Sequence, residues 1–169
     1  MEQAMQQDLI SELGYMCLGS RFRRLGERLQ AGVAELAKQE GLTVQTAQFP
    51  ILSALAEGPA TVGALARRLD LSQPGITRSV GKLVNDGLVE TAGDTGDQRQ
   101  RTFRLSAQGR KLLDHAERHI FPLVEETVAE LCAGPPGDLL GCLARLDTAL
   151  AQAPFGQRLL ARRAGKAGA

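Results

Sequence analysis

Ser72-Gln73-Pro74-Gly75-Ile76-Thr77-Arg78-Ser79-Val80-Gly81-Lys82-Leu83-Val84-Asn85 reads as a helix with a marked beginning. Ser72 can cap it, its hydroxyl accepting from a backbone N–H that the first turn leaves unpaired. Pro74 falls in that turn, where a missing N–H costs nothing. Gly75 removes bulk near the start, so backbone there can approach a groove closely. Ile76, Val80, Leu83 and Val84 recur at helical spacing and predict a buried stripe. Thr77, Arg78 and Lys82 project from another side as hydrogen-bond donors. A shorter helix is expected upstream from Thr61, a residue suited to cap it. Downstream, Leu88-Val89-Glu90-Thr91 and Thr102-Phe103-Arg104-Leu105 alternate as two paired strands do. Gly93 to Arg101 between them is polar, glycine-containing and tipped with arginines. Helix, turn, helix and basic hairpin, in this order, predict a winged helix-turn-helix, with the second helix in a DNA major groove and the wing along the adjoining minor groove or backbone.

Each element then offers particular residues to nucleic acid: Thr61, Ser72, Gln73, Gly75, Thr77, Arg78, Lys82, Asp97, Arg99 and Arg101. Arg78 has the reach and fork geometry for a guanine edge, and Lys82 suits a phosphate. Arg99 can enter a narrow minor groove or meet phosphate, the alternative being a salt bridge to Asp97. Asp97, repelled by phosphate if unpaired, serves better by holding Arg99 or Arg101. Thr61 at a helix N-terminus can bind a phosphate as well as cap. The charge distribution agrees. The whole chain carries only +1, but Thr61 to Arg110 holds eight bases against five acids. A mild local excess restrains non-specific binding and leaves specificity to placed contacts.

These motifs resemble the MarR family of bacterial regulators. The resemblance rests on Gly41-Leu42-Thr43, on Leu65-Ala66-Arg67-Arg68-Leu69-Asp70-Leu71-Ser72, on Thr77-Arg78 and on Leu83-Val84-Asn85-Asp86-Gly87-Leu88-Val89. It continues through Asp94, Asp97, Arg99 and Leu105-Ser106-Ala107-Gln108-Gly109. The sequence departs from the family where proline often follows the first wing aspartate, here Thr95. It departs again where two adjacent arginines often follow the second, here Gln98 and Arg99. The resemblance implies a homodimer built through the terminal helices and a role in transcription, most simply as a repressor that covers a promoter. It also implies a small amphipathic or phenolic effector, for which Arg21, Phe22 and Phe49 are the candidate pocket residues. Phe49-Pro50 puts a proline inside or near the start of the second helix, where it can bend it.

The 169 residues fit one domain, or one with an added interface. Hydrophobic residues make up 43% but aromatic residues only 4%, so the core must be leucine, valine and alanine. Leu18, Phe22, Leu25, Leu29, Val33 and Leu36 form one stripe on a long first helix that Gly41 ends. Leu112, Ala116, Ile120, Leu123, Thr127 and Leu131 form a second on another long helix. Leu139, Leu143, Leu146 and Leu150 form a third. A small winged helix cannot cover all three, and a second copy is the simplest cover. The expected fold is mostly α (α+β), a winged helix-turn-helix with long terminal helices forming a dimerisation lobe. The expected division is 1–40 and 110–152 for dimerisation, 41–109 for DNA binding, and 153–169 as a small, basic, partly disordered tail.

Other chemistry has less to stand on. Cys17, Cys132 and Cys142 show neither a disulfide framework nor a zinc spacing. Cys132 and Cys142 lie on apolar stripes and read as packing. Cys17 reads as a small buried hydrophobe; the competing regulator is a thiol-based redox sensor using Cys17, with Arg21 one turn on to favour the thiolate. His115 and His119 share a helical face but lack a third metal ligand, so no metal or cofactor is expected. No nucleotide loop, nucleophile elbow or metal triad suggests an enzyme. A winged-helix protein-interaction module remains the other alternative, and the arginine-tipped wing argues against it. No signal peptide or membrane-length apolar run is visible, which points to the cytoplasm.

Overall fold

The computed structural model describes residues 8–92, 101–133 and 138–167. Contacts divide the chain into two units, Gly41–Ile120 and, together, Met1–Glu40 with Phe121–Ala169. Each is described by itself.

The Gly41–Ile120 unit begins at a glycine with φ +74°, a conformation that costs glycine little. Gln45 and Gln48 then form a reciprocal capping arrangement that leads into α3 (Phe49–Ala56); α1 (Leu9–Glu12) and α2 (Leu18–Gln39) belong to the other unit. Pro50 lies in the first turn of α3, so it starts the helix without bending it. After β1 (Ala60–Thr61) come α4 (Val62–Leu69) and α5 (Gln73–Asn85), then β2 (Val89–Thr91), β3 (Thr102–Leu105) and α6 (Ala107–His119). The three strands form an antiparallel sheet in the order β1-β3-β2, with Val89 opposite Leu105 and Thr91 opposite Phe103. Its core is Phe49, Ile51, Leu52, Leu55, Leu65, Ile76, Val80, Leu83, Leu88, Val89, Leu113 and Ala116. Val84, expected on the buried stripe, is 37% exposed. Ile76, Val80 and Leu83 suffice to seat the helix.

The second unit holds α1, α2, α7 (Phe121–Cys132), α8 (Leu139–Gln152) and α9 (Phe155–Ala167). Two sequence expectations need correction here. The stripe from Leu112 to Leu131 is not one helix. It breaks at Ile120, and Pro122 stands in the first turn of α7, where no donor is needed. Within the region from 153, expected as a partly disordered tail, residues 155–167 are helical. They form α9, which packs along α2 with Phe155 and Leu159 buried. Close approach requires small residues. A Cβ on Gly32 would come within 2.6 Å of the Phe155 Cβ, and one on Gly156 would run into the Glu35 carboxylate. Leu25, Val33, Leu36, Leu123, Leu143, Leu146, Leu150 and Leu159 are all buried, so much of the apolar stripe surface is covered within a single chain.

Asp147 of α8 anchors this unit electrostatically. Arg21, only 2% exposed, places Nε at 3.1 Å and Nη2 at 2.8 Å from its Oδ2. Arg24 donates to the same oxygen at 2.9 Å, and Arg28 to Oδ1 at 3.4 Å. A buried guanidinium needs such a partner, since leaving it unpaired would cost several kcal/mol by order of magnitude, roughly 3–5. Among the described residues, no helix is long and apolar enough to cross a membrane.

Candidate nucleic-acid interface

Two capped helices build the site. The Thr61 hydroxyl accepts from Ala64 N at 3.2 Å to start α4. Asp70 ends α4 in the left-handed conformation, φ 51° and ψ 44°, and Leu71 N donates back to Ala66 O at 3.0 Å. That reversal leads directly into Ser72, whose Oγ accepts from Gly75 N at 3.3 Å to start α5. Gly75 has a role beyond thinning the helix start: a Cβ there would lie 3.0 Å from the Ser72 Oγ and crowd the cap. Buried Gln48 holds α5 from behind, donating to Ser79 O at 3.3 Å.

The outward side of α5 presents Gln73, Thr77 and Arg78, all exposed. Thr77 Oγ1 donates to Gln73 O at 2.9 Å, which uses its hydrogen within the helix and leaves the oxygen able to accept. Arg78 makes no hydrogen bond or ion pair among the described residues, so its fork is open. Lys82 differs from expectation in being occupied. Its Nζ lies 3.1 Å from Asp86 Oδ2, one turn along the same helix. Such an exposed pair is weak, about 0.3–0.5 kcal/mol, and a phosphate could replace it.

The stem of the wing is described and its tip is not. Ala92 N donates to Thr102 O at 2.9 Å, and Thr102 Oγ1 to Ala92 O at 3.1 Å. Arg104 is taken by Glu90 across the strands at 2.8 Å. Arg101 is exposed and makes no ion pair among the described residues. Asp97 and Arg99 lie outside the described residues. At its base the wing is tied to α6, where Ser106 Oγ donates to Gly87 O at 2.6 Å and accepts from Gly109 N at 3.0 Å. Arg68 is drawn off to Glu57, whose carboxyl it holds below its ordinary value. Arg67 is exposed and unpaired among the described residues, a cation that sequence reading counted but did not single out. The Arg67-Arg68 doublet was the signal; which of the two stays open depends on Glu57, eleven positions away from Arg68.

The proposed pocket residues fall in both units. Arg21 is committed to Asp147, Phe22 is 50% exposed, and Phe49 is a core residue of the other unit. Cys17 is half-buried in a turn before α2 rather than within that helix, and Arg21 points its guanidinium at Asp147. Cys132 is exposed and Cys142 half-buried, so neither is the fully buried packing residue expected. His115 and His119 have ring centroids 4.6 Å apart. No group of three or more metal-ligating side chains occurs among the described residues.

Comparison with known proteins bears on this geometry. The chain is 38% identical over 72 residues to the transcriptional regulator AdcR of Streptococcus pneumoniae, a match covering 43% of this chain and 47% of that protein. The chain thus spans about half the length of that curated relative. Among solved structures, a mutant MarR from E. coli complexed with operator DNA has a TM-score of 0.62 at 18% identity, covering 86% of this chain and 97% of the other. The transcriptional regulator BldR from Sulfolobus solfataricus has a TM-score of 0.55 at 24% identity, covering 86% and 99%. At these identities the structures speak for the fold alone, a winged helix flanked by terminal helices. The model of the MarR family matches residues 40–100, the stretch that holds α3, α4, α5 and β2.

Proposed function

We propose that the protein is a sequence-specific, DNA-binding transcriptional regulator that works as a homodimer on an inverted repeat, most simply as a repressor. The observation that carries this reading is α5 itself. One side is buried through Ile76, Val80 and Leu83, while the other holds Gln73, Thr77 and an Arg78 that is unpaired among the described residues, beside the capped helix start. A helix presented in this way can enter a major groove, where an arginine fork discriminates guanine by about 1–3 kcal/mol. The operator-bound structural neighbour and the regulator name of the curated relative support the same reading.

The dimer is favoured by a different surface from the stripes that first suggested it. Leu9, Leu13, Tyr15, Met16 and Phe22 stand exposed around α1 and the start of α2, and Met16 is 76% exposed. A second copy is the proposed cover. Two copies of α5 about a two-fold axis read half-sites with centres roughly 10 base pairs apart. A small amphipathic effector fits the family resemblance, and Arg21, one of its candidate contacts, is also paired with Asp147.

Selection from random DNA with wild type, Arg78→Ala and Lys82→Ala tests the reading. Wild type is expected to return a palindrome. Arg78→Ala should relax one symmetric pair of positions, and Lys82→Ala should weaken all sequences about equally. A non-palindromic motif, or an unchanged one from Arg78→Ala, would overturn it.

A further inference from the structure

We propose that Cys132 and Cys142 form a thiol pair that small disulfides close, reversibly, into an intramolecular disulfide between α7 and α8. Cys132 is the last residue of α7, and Cys142 lies in the first turn of α8. The Cys142 Sγ is directed at the Cys132 carbonyl oxygen, 3.9 Å away. Their sequence neighbours hold the pair in register, because Leu131 and Leu143 are buried while the thiols stand at the edge. Cys132 is exposed and Cys142 half-buried, so a small reagent can reach them. Both sit near helix ends, where a side chain can rotate toward the short Cβ–Cβ separation a disulfide needs, about 3.5–4.5 Å. Burial, and then Cys142 itself, push the Cys132 thiol above its ordinary ionisation range.

Cys142 opens the exchange, its Sγ already directed at the end of α7 where Cys132 sits. The Cys142 thiolate attacks one sulfur of a small disulfide such as oxidised glutathione. A mixed disulfide forms on Cys142 and one small thiolate leaves. Cys132 then loses its proton to solvent and attacks the Cys142 sulfur, expelling the second small thiolate. The protein gives up two protons and two electrons, and the oxidant becomes two thiols. Excess thiol reverses both steps.

The test uses the full chain with oxidised glutathione. The protein is oxidised folded, unfolded in urea, and labelled with a maleimide. Uptake should fall from three labels to one, on Cys17, and dithiothreitol should restore all three. Cleavage after Arg118 and Arg145 puts both cysteines in one peptide, residues 119–145, which should lose two hydrogens. Cys132→Ser should trap glutathione on Cys142. The bridge should also form faster in folded than in urea-unfolded protein, because the fold supplies the proximity. Retention of three labels, a bridge between chains or to Cys17, failure of Cys132→Ser to trap glutathione, or equal rates folded and unfolded would each overturn the proposal.

Discussion

Gly109 marks the closest approach between α6 and the strand leading into the wing, and a Cβ there would overlap the Leu88 carbonyl. That carbonyl is not free to move, since it accepts from Ser106 N at 3.1 Å in the corner that caps α6. Gly109→Ala should therefore destabilise the fold by about 2–3 kcal/mol, the upper range for inserting one carbon into a packed site. The denaturant midpoint measures it, and a variant as stable as wild type would show that the corner yields. Interactions of this kind divide into those readable from the chain and those not. Ser72 and Thr61 could be read as caps because a cap acts over three residues. Lys82–Asp86 spans only four, yet the lysine was read for its charge without its neighbour. Arg21 and Asp147 are 126 positions apart, and nothing local to either announces the pair. Arg21, a candidate effector contact by resemblance, therefore also carries a structural ion pair.

Helix α9 was the least legible element, for a physical reason. Its sequence, Phe-Gly-Gln-Arg-Leu-Leu-Ala-Arg-Arg-Ala-Gly-Lys-Ala, is rich in small and basic residues and offers few apolar anchors. Its stability comes from tertiary contact rather than propensity, through Phe155 against Gly32 and the fully buried Leu159. Leu159→Ala should cost about 2–5 kcal/mol. The loss should appear in a thermal melt, and fast amide exchange should localise to 155–167. Ion pairs hold the outer face. Lys166, 2.6 Å from Glu126, and then Arg162 lower the Glu126 carboxyl pKa. A carboxyl depressed on folding stabilises above its unfolded pKa and loses that contribution as pH falls through the folded value. Wild type should thus melt slightly above Glu126→Gln near pH 7, and the two should converge in acid below the usual glutamate range. A gap that persists or widens at low pH would remove this ion pair from the account. Helix α5, by contrast, was legible at its start and along its buried side, Val84 excepted, because a cap, a first-turn proline and helical spacing all act within one helix.

At the scale of the whole molecule, the dimer was inferred from three apolar stripes, and much of that surface is buried within one chain by α9, α7 and α8. Sequence periodicity reveals that a face must be covered, but not by what. Among the described residues of the unit that holds α2 and α9, the exposed large apolar side chains are Leu9, Leu13, Tyr15, Met16 and Phe22. Met16→Asp with Phe22→Asp should leave each chain folded and shift light scattering from twice the chain mass of 18.0 kDa to that mass itself. A dimer unaffected by both changes would place the contact elsewhere. One consequence of α9 concerns dilution. In an assembly whose protomers complete each other's cores, unfolding and dissociation are one event, and the melting temperature climbs with protein concentration. Here the leucine stripes of α2 and α8 find much of their cover inside their own chain. Helical content should survive dilution to levels at which the copies have separated, so chains at low concentration would persist folded and unpaired, ready to reassemble.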